Sequence, residues 1–195
     1  MLEFCYNGSY YEEIDFKNDF LTKNLDKVIE TIDYDSKKVY SHVNPSFSEE
    51  YVNYRVSNEC LIEIAEQGDR PVATLDCSLM KFNNINFPIV AQIISSIFAG
   101  KIKEFGVSGR IWYPKNGFMG WHTNSNNKGH RLYCVYVKEG GKSFFRYKNP
   151  INGEIVTSWD KKGWNFRIFR IDKKLLWHTI YSGTDRFSIG YALYF

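Results

Sequence analysis

Six short segments in the second half of the chain favour extended structure, and they constrain the fold more than any other feature of the sequence. Each segment is rich in aromatic and β-branched residues, the types that strands favour. The segments are 108–113, 131–137, 143–147, 164–171, 175–180 and 186–194. Turn-forming pairs such as Asn152-Gly153 and Ser182-Gly183 separate them. Closely spaced strands of this kind predict an antiparallel sandwich or barrel.

The first half of the chain shows helical periodicity instead. Apolar residues recur at helical spacing from Phe20 to Ile32. Segment 58–67 carries apolar residues on one face and is followed by Gly68, which is typical of a helix end. Segment 88–104 starts with a proline, which favours the first turn of a helix. These segments predict three helices that lie against one face of the β structure.

Length and composition fit a single domain. A chain of 195 residues with 44% hydrophobic residues can bury a substantial core. We find no internal repeat and no low-complexity segment that would divide it. We therefore expect one domain over residues 1–195, in which residues 1–105 form a helix-rich support region and residues 106–195 form the β core.

Charge, hydropathy and cysteine pattern argue against several classes of protein. The net charge is only +3 and no cluster of lysine or arginine stands out, which disfavours a nucleic-acid partner. The longest apolar stretch, 88–100, is interrupted by Gln92, so we expect no membrane span. The four cysteines form no metal-binding pair and the N-terminus has no signal-peptide pattern. We therefore expect a cytoplasmic or otherwise intracellular protein with reduced thiols.

Two of the four histidines are candidates for one metal site. His122 and Asn124 are two positions apart in an extended segment, so their side chains point to the same side. His178 lies in a later predicted strand, and two converging imidazoles suit Zn, Fe, Cu or Ni. Arg186 and Ser188 follow on one face of the next strand. The planar fork of an arginine suits a carboxylate ligand, so this strand predicts an anion site beside the metal.

The order of these residues resembles the prolyl-hydroxylase-like and aspartyl-hydroxylase-like branches of the 2-oxoglutarate- and Fe(II)-dependent oxygenases. The similar segments are Tyr113-x-x-x-Gly117, His122-x-Asn124, a strand from Arg131 that ends in Gly140-Gly141, and His178 followed by Gly183-x-x-Arg186-x-Ser188. The resemblance covers roughly residues 108–195, and residues 1–105 carry none that we can name. It implies a mainly β fold with N-terminal helices, built on a double-stranded β-helix, the cupin-type jelly roll.

The resemblance also implies roles for individual residues. His122 and His178 would be the iron ligands at the catalytic centre, with Asn124 in the third ligand position. Arg186 would pair with the distal carboxylate of 2-oxoglutarate, the co-substrate, and Ser188 would add a hydrogen bond.

Five other residues near the motif have competing interpretations. Tyr133 and Tyr136 cannot both face inward on a regular strand, and we expect Tyr133 to offer its hydroxyl to the same carboxylate. His130 is expected in a loop. Asp160 or Asp185 could supply a missing carboxylate ligand through the fold.

Asn124 departs from the resemblance, because that family has Asp or Glu at this position. A neutral amide is a weaker ligand than a carboxylate, and ferrous iron usually sits among two histidines and one carboxylate. Three functions therefore remain open: a 2-oxoglutarate- and Fe(II)-dependent hydroxylase, a catalytically inactive metal- or ligand-binding protein, and a cupin-type enzyme without 2-oxoglutarate. The expected partner is a small molecule or a protein side chain rather than a nucleic acid.

Overall fold

The computed structural model of the chain combines four helices with twelve strands in its described residues. The described residues are 9–30, 40–41, 47–66, 77–81, 88–98, 101–124 and 128–195. The helices are α1 (Asp19–Glu30), α2 (Glu49–Arg55), α3 (Asn58–Glu66) and α4 (Pro88–Ile97). The strands are β1 (Tyr11–Ile14), β2 (Tyr40–Ser41), β3 (Cys77–Ser78), β4 (Met80–Lys81), β5 (Glu104–Tyr113), β6 (Gly117–His122), β7 (Gly129–Val137), β8 (Ser143–Lys148), β9 (Ile155–Trp159), β10 (Gly163–Ile171), β11 (His178–Ser182) and β12 (Arg186–Tyr194).

The strands form two antiparallel sheets that face each other. The major sheet has the strand order β1-β10-β7-β12-β5-β4-β2, and the minor sheet has the order β3-β6-β11-β8-β9. Side chains from both sheets meet in one apolar cluster, with Tyr113 and Phe169 from the major sheet and Phe145 and Ile180 from the minor sheet. This arrangement is a double-stranded β-helix, which confirms the predicted fold class.

Two of the helices cover the outer face of the major sheet. Leu21 and Leu25 of α1 and Ile94 of α4 are buried in one cluster with Leu132 and Ile168 of the sheet. The apolar residues of α1 and α4 face the strands, as expected for amphipathic helices. None of the described helices has the length and apolar character needed to cross a membrane.

Three predicted element boundaries differ from the structure. The helix predicted over 88–104 ends at Ile97, because the last residues of that segment join β5, which pairs with β12 from Glu104 onward. His130 was expected in a loop and lies in β7, where it pairs with strands on both sides. The strand predicted over 175–180 is β11, which is shifted to later residues. Ile32 and Gly68, which were used to predict helix ends, lie outside the described residues.

The turn between β11 and β12 requires a residue without a side chain. The backbone N–H of Gly183 donates to the carbonyl oxygen of Lys142 at 3.0 Å and to the hydroxyl of Ser143 at 3.2 Å. A Cβ atom at Gly183 would overlap the Lys142 carbonyl group. This close approach of two backbone segments fixes the connection between the two sheets.

We expect Gly183→Ala to lower the free energy of unfolding by about 1–3 kcal/mol, because backbone rather than a flexible side chain must move. Urea denaturation of both proteins measures the loss. Gly106→Ala is the matched control, since a Cβ there meets no atom within 4 Å, and it should leave the stability nearly unchanged. Equal stabilities of the two variants would contradict this account of the turn.

Candidate metal centre

His122 and His178 lie side by side on neighbouring strands of the minor sheet. β6 pairs with β11, and the register places His178 directly opposite His122. Directly opposed residues of an antiparallel pair project from the same face of a sheet. The centres of the two imidazole rings are 4.1 Å apart. The structure therefore brings together the two histidines that the sequence suggested as ligands of one metal.

Backbone carbonyl groups orient both imidazole rings. The Nδ1 atom of His122 lies 2.8 Å from the carbonyl oxygen of Gly120, and the Nδ1 atom of His178 lies 2.9 Å from that of Leu176. A carbonyl oxygen can only accept a hydrogen bond, so each Nδ1 carries the proton and donates it. Each Nε2 then keeps its lone pair, as in metal-binding histidines whose other nitrogen donates to a carbonyl group.

Burial keeps both imidazoles neutral. Desolvation lowers the pKa of His122 to about 4, against a smaller opposite effect of its hydrogen bond to Gly120. Desolvation and, after it, the nearby His122 lower the pKa of His178 well below its usual value. Metal binding requires neutral imidazole, so neither ring has to lose a proton near neutral pH.

The side chain of Asn124 faces the same point as the two histidines. Its Nδ2 atom lies 3.3 Å from Nε2 of His178 and 3.5 Å from the hydroxyl oxygen of Tyr133. The amide therefore lies beside the lone pair with which His178 would bind a metal. Rotation of the amide by half a turn would exchange its nitrogen for its oxygen and would offer a neutral oxygen ligand.

Aspartates near the motif do not complete the metal site. The described part of the chain contains no group of three or more histidine, cysteine, aspartate and glutamate side chains that could hold a metal ion. Asp160 pairs with two arginines, and Asp185 accepts a hydrogen bond from Trp112. The suggestion that either acid supplies the missing ligand is therefore wrong. Two neutral imidazoles and an amide still fit a divalent transition metal ion.

Arg186 lies at the start of β12 and is only 1% exposed. Its Nε atom donates to Oδ2 of Asp160 at 2.8 Å. The other carboxylate oxygen of Asp160 lies 2.6 Å from Nη1 of Arg167. The Nη2 atom of Arg186 is buried and has no hydrogen-bond partner among the described residues. The guanidinium is therefore held through Nε, while its Nη2 atom still has a donor to offer.

The three charged groups leave a buried excess of positive charge. Burial raises the pKa of Asp160, but the charges of Arg186 and Arg167 outweigh it and hold that pKa below its ordinary value. The carboxylate is therefore ionised at neutral pH and faces two guanidinium groups. A buried charge without a partner is costly, so the cluster is suited to accept one further anion.

Two tyrosines, Tyr113 and Tyr133, lie near these charges. Tyr113 pairs with Arg186 across β5 and β12, and the centre of its ring lies 5.4 Å from the guanidinium carbon. Burial raises the pKa of Tyr113 and Tyr133; the charge of Arg186 opposes it at Tyr113, and the charges of Arg131 and, less strongly, Arg186 oppose it at Tyr133. Both phenols therefore stay protonated and can donate hydrogen bonds near neutral pH.

The remaining candidates lie on the faces that strand alternation predicts. Tyr133 faces the space between the sheets, where its ring contacts Phe145, Phe169 and the position of Gly190. Tyr136 lies on the opposite face, as expected from the odd spacing, and packs against aromatic rings there. Ser188 is buried two positions from Arg186 on the same strand.

Arg167 belongs to the site but was not identified from the sequence. It lies in β10 and is 1% exposed. The sequence does indicate that Arg167 is buried, because alternation places it on the same face as Phe169 in a strand that is otherwise aromatic and apolar. A charged residue on such a face needs a buried partner of opposite charge.

Comparisons with known proteins find similarity at the level of three-dimensional structure. No protein-family model matches the chain, and no curated protein sequence matches it. The chain is similar to a prolyl-4-hydroxylase from Pseudomonas putida, with 13% identity over 89% of this chain and 98% of that chain and a TM-score of 0.44. It is also similar to an oxidoreductase of the 2-oxoglutarate–Fe(II) oxygenase family from Burkholderia pseudomallei, with 11% identity over 89% of both chains and a TM-score of 0.44.

A third similar structure is a prolyl hydroxylase from Trichoplax adhaerens, solved in complex with a peptide fragment of the hypoxia inducible factor oxygen degradation domain. Its identity is 12% over 89% of both chains, and its TM-score is 0.42. All three proteins are of the oxygenase class that the sequence motifs resemble. Since the identities are only 11–13% and the TM-scores lie below 0.5, the function of this chain has to be argued from its own side chains.

We expect His178→Ala to weaken Co(II) or Fe(II) binding by at least about 100-fold, because it removes one of the two imidazoles. Even the loss of a residue that only hydrogen-bonds to a metal ligand lowers metal affinity about 10- to 100-fold. Anaerobic calorimetric titration measures the affinity. His130→Gln is the matched control and should bind the metal like the unchanged protein. Similar affinities of the two variants would show that the metal binds elsewhere.

We expect Asn124→Asp to keep or tighten metal binding, because a carboxylate in place of the amide adds an anionic ligand beside two neutral imidazoles. The same titration, together with Asn124→Ala, measures the change. Weaker binding in Asn124→Asp than in Asn124→Ala would mean that this position does not face the metal.

Proposed function

We propose that the chain is a 2-oxoglutarate- and Fe(II)-dependent oxygenase of the hydroxylase type. The observation that carries the proposal is the joint placement of two different sites in the space between the sheets. His122 and His178 offer neutral imidazoles at one end, and Arg186 offers a buried, incompletely paired guanidinium at the other. A molecule with a metal-chelating 2-oxo acid and a second carboxylate matches both.

The metal-binding end of the site uses His122 and His178 as ligands, with Asn124 beside them. Bound there, Fe(II) would supply the activation of dioxygen that couples oxidation of a 2-oxo acid to oxidation of a substrate. The carbonyl groups of Gly120 and Leu176 hold the rings through their Nδ1 atoms, so that the Nε2 atoms would be the ones that bind the ion. The loss of one negative charge at Asn124 is the feature in which this centre differs from two histidines and a carboxylate.

The carboxylate-binding end of the site uses Arg186. Its Nη2 atom and the hydroxyl groups of Ser188, Tyr113 and Tyr133 offer donors to the distal carboxylate of 2-oxoglutarate. The low dielectric of the surrounding side chains strengthens such charge-assisted bonds. The ring of Phe145 lies 5.2 Å from that of His178 and 6.3 Å from that of Tyr133, and helps to keep the space dry.

We place the approach of the substrate next to Asn124 as part of this proposal. A depression beside this residue is lined by Thr123, Ile171, Asp172, Leu175 and Leu176. Its lining mixes apolar side chains with one acid, which suits a small molecule or a protein side chain better than a nucleic acid. A cytoplasmic or intracellular location remains part of the same prediction.

A catalytically inactive binding protein on the same fold is the second candidate. Two observations favour it: no described acid completes the metal site, and Asp160 already binds the Nε atom of Arg186. Such a protein would bind a metal weakly and would not convert 2-oxoglutarate. Turnover in air therefore separates the two candidates.

We expect anaerobic addition of Fe(II) and 2-oxoglutarate to produce the visible charge-transfer band of the chelate, and we expect succinate to form when air is admitted. Arg186→Met should weaken 2-oxoglutarate binding about 100-fold or more while Fe(II) binding changes little, because only the carboxylate end loses its cation.

Arg110→Met is the matched control, since Arg110 lies on β5 opposite Ile189 and faces the helix-covered side of the sheet. This variant should bind 2-oxoglutarate normally. A band without succinate would favour the inactive binding protein, and the lack of any band would contradict the proposal. If Arg186→Met loses affinity for Fe(II) and for 2-oxoglutarate to the same extent, the variant is misfolded.

A further inference from the structure

Asp160 is held rigidly between β9 and β10. Its backbone N–H donates to the carbonyl oxygen of Ser143 at 2.9 Å, and its own carbonyl oxygen accepts from the N–H of Gly141 at 2.8 Å. Its side chain is fully buried. The carboxylate is thus fixed by the backbone and does not depend on the flexible part of a loop.

Arg167 holds the second oxygen of this carboxylate. Its Nη1 atom lies 2.6 Å from Oδ1 of Asp160. Its Nε atom donates to the hydroxyl groups of Tyr11 at 3.0 Å and Ser158 at 2.9 Å, and its Nη2 atom donates to the carbonyl oxygen of Ser158 at 3.3 Å. Arg167 is therefore anchored to β1 and β9 while it projects from β10, and it keeps Asp160 from turning.

Only one oxygen of Asp160 is left for Arg186. Oδ2 accepts a hydrogen bond from the Nε atom of Arg186 at 2.8 Å, and Oδ1 forms the ion pair with Arg167. A carboxylate that is tied in this way cannot form the paired, two-oxygen contact that an arginine fork favours. The Nη2 atom of Arg186 consequently stays without a partner among the described residues.

We infer that Asp160 is a positioning residue for Arg186, and that Arg167 fixes Asp160 in this role. Asp160 holds the guanidinium through Nε alone, so that the unpartnered Nη2 atom is left to donate to the distal carboxylate of the co-substrate. This inference rests on the proposed function and assigns a task to two residues that would not touch the co-substrate. It also explains why two buried arginines share a single acid: the second negative charge arrives with the ligand.

A different role for Asp160 would be to compete with the co-substrate for Arg186. Competition would require Asp160 to satisfy the guanidinium in the unliganded protein. Its single contact leaves Nη2 unsatisfied, and its other oxygen is bound to Arg167. The geometry therefore favours positioning, and the two roles predict opposite effects of removing the acid.

The test compares two 2-oxo acids on the metal-loaded full chain. 2-Oxoglutarate carries the distal carboxylate and pyruvate lacks it, so the ratio of their dissociation constants reports the Arg186 end alone. We expect Asp160→Asn to reduce the preference for 2-oxoglutarate about tenfold, in line with the loss of an outer partner at a metal ligand. Metal affinity and pyruvate affinity should stay unchanged, whereas a general structural defect would lower both.

Asp185→Asn is the matched control, because Asp185 precedes Arg186 in sequence but accepts its hydrogen bond from Trp112. It should keep the preference of the unchanged protein. Arg167→Lys keeps the positive charge but loses the planar guanidinium with its several N–H donors. This variant should reduce the preference for 2-oxoglutarate over pyruvate by a smaller factor. It serves as the test if Asp160→Asn does not fold.

An unaltered preference in a folded Asp160→Asn or Arg167→Lys protein overturns the inference. A higher preference for 2-oxoglutarate also overturns it, because Asp160 would then be a competitor. If the unchanged protein binds 2-oxoglutarate no better than pyruvate, the proposed function itself fails, and this outcome is distinct from the other two.

Discussion

The antiparallel pairing of β6 with β11 is the interaction on which the metal centre depends. Its register sets His178 opposite His122, so two residues far apart in the sequence project from one face of the minor sheet. The carbonyl groups of Gly120 and Leu176 then each bind the Nδ1 atom of one ring. A shift of the register by one residue would place the imidazoles on opposite faces of the sheet and abolish the site.

The space between the two sheets separates neutral from charged groups. The histidine end is neutral, because burial keeps both imidazoles unprotonated. The other end holds two guanidinium groups and one carboxylate, from Arg186, Arg167 and Asp160, and the buried Arg131 adds a further positive charge that acts on Tyr133. Such an interior suits a ligand whose one end chelates a metal and whose other end is an anion.

Only the features that depend on local sequence patterns could be predicted before the fold and the site were known. Alternation and turn residues predicted most of the β core, and the odd spacing of Tyr133 and Tyr136 predicted that only one of them faces inward. β9 was missed, because Ile155–Trp159 is short and owes its strand structure to pairing with β8. The contact of Arg186 with Asp160 could not be predicted either, because it joins the start of β12 to the connection between β9 and β10, and only the assembled sheets define their relative position.

The most direct test of the metal and co-substrate site is anomalous diffraction from crystals grown without oxygen in the presence of Fe(II) and 2-oxoglutarate. The account predicts one iron peak at about 2.1 Å from Nε2 of both His122 and His178, a distance typical of imidazole bound to such ions. It also predicts the distal carboxylate of 2-oxoglutarate against Nη2 of Arg186. An iron peak away from either histidine, or a ligand that leaves Arg186 without a carboxylate, would contradict it.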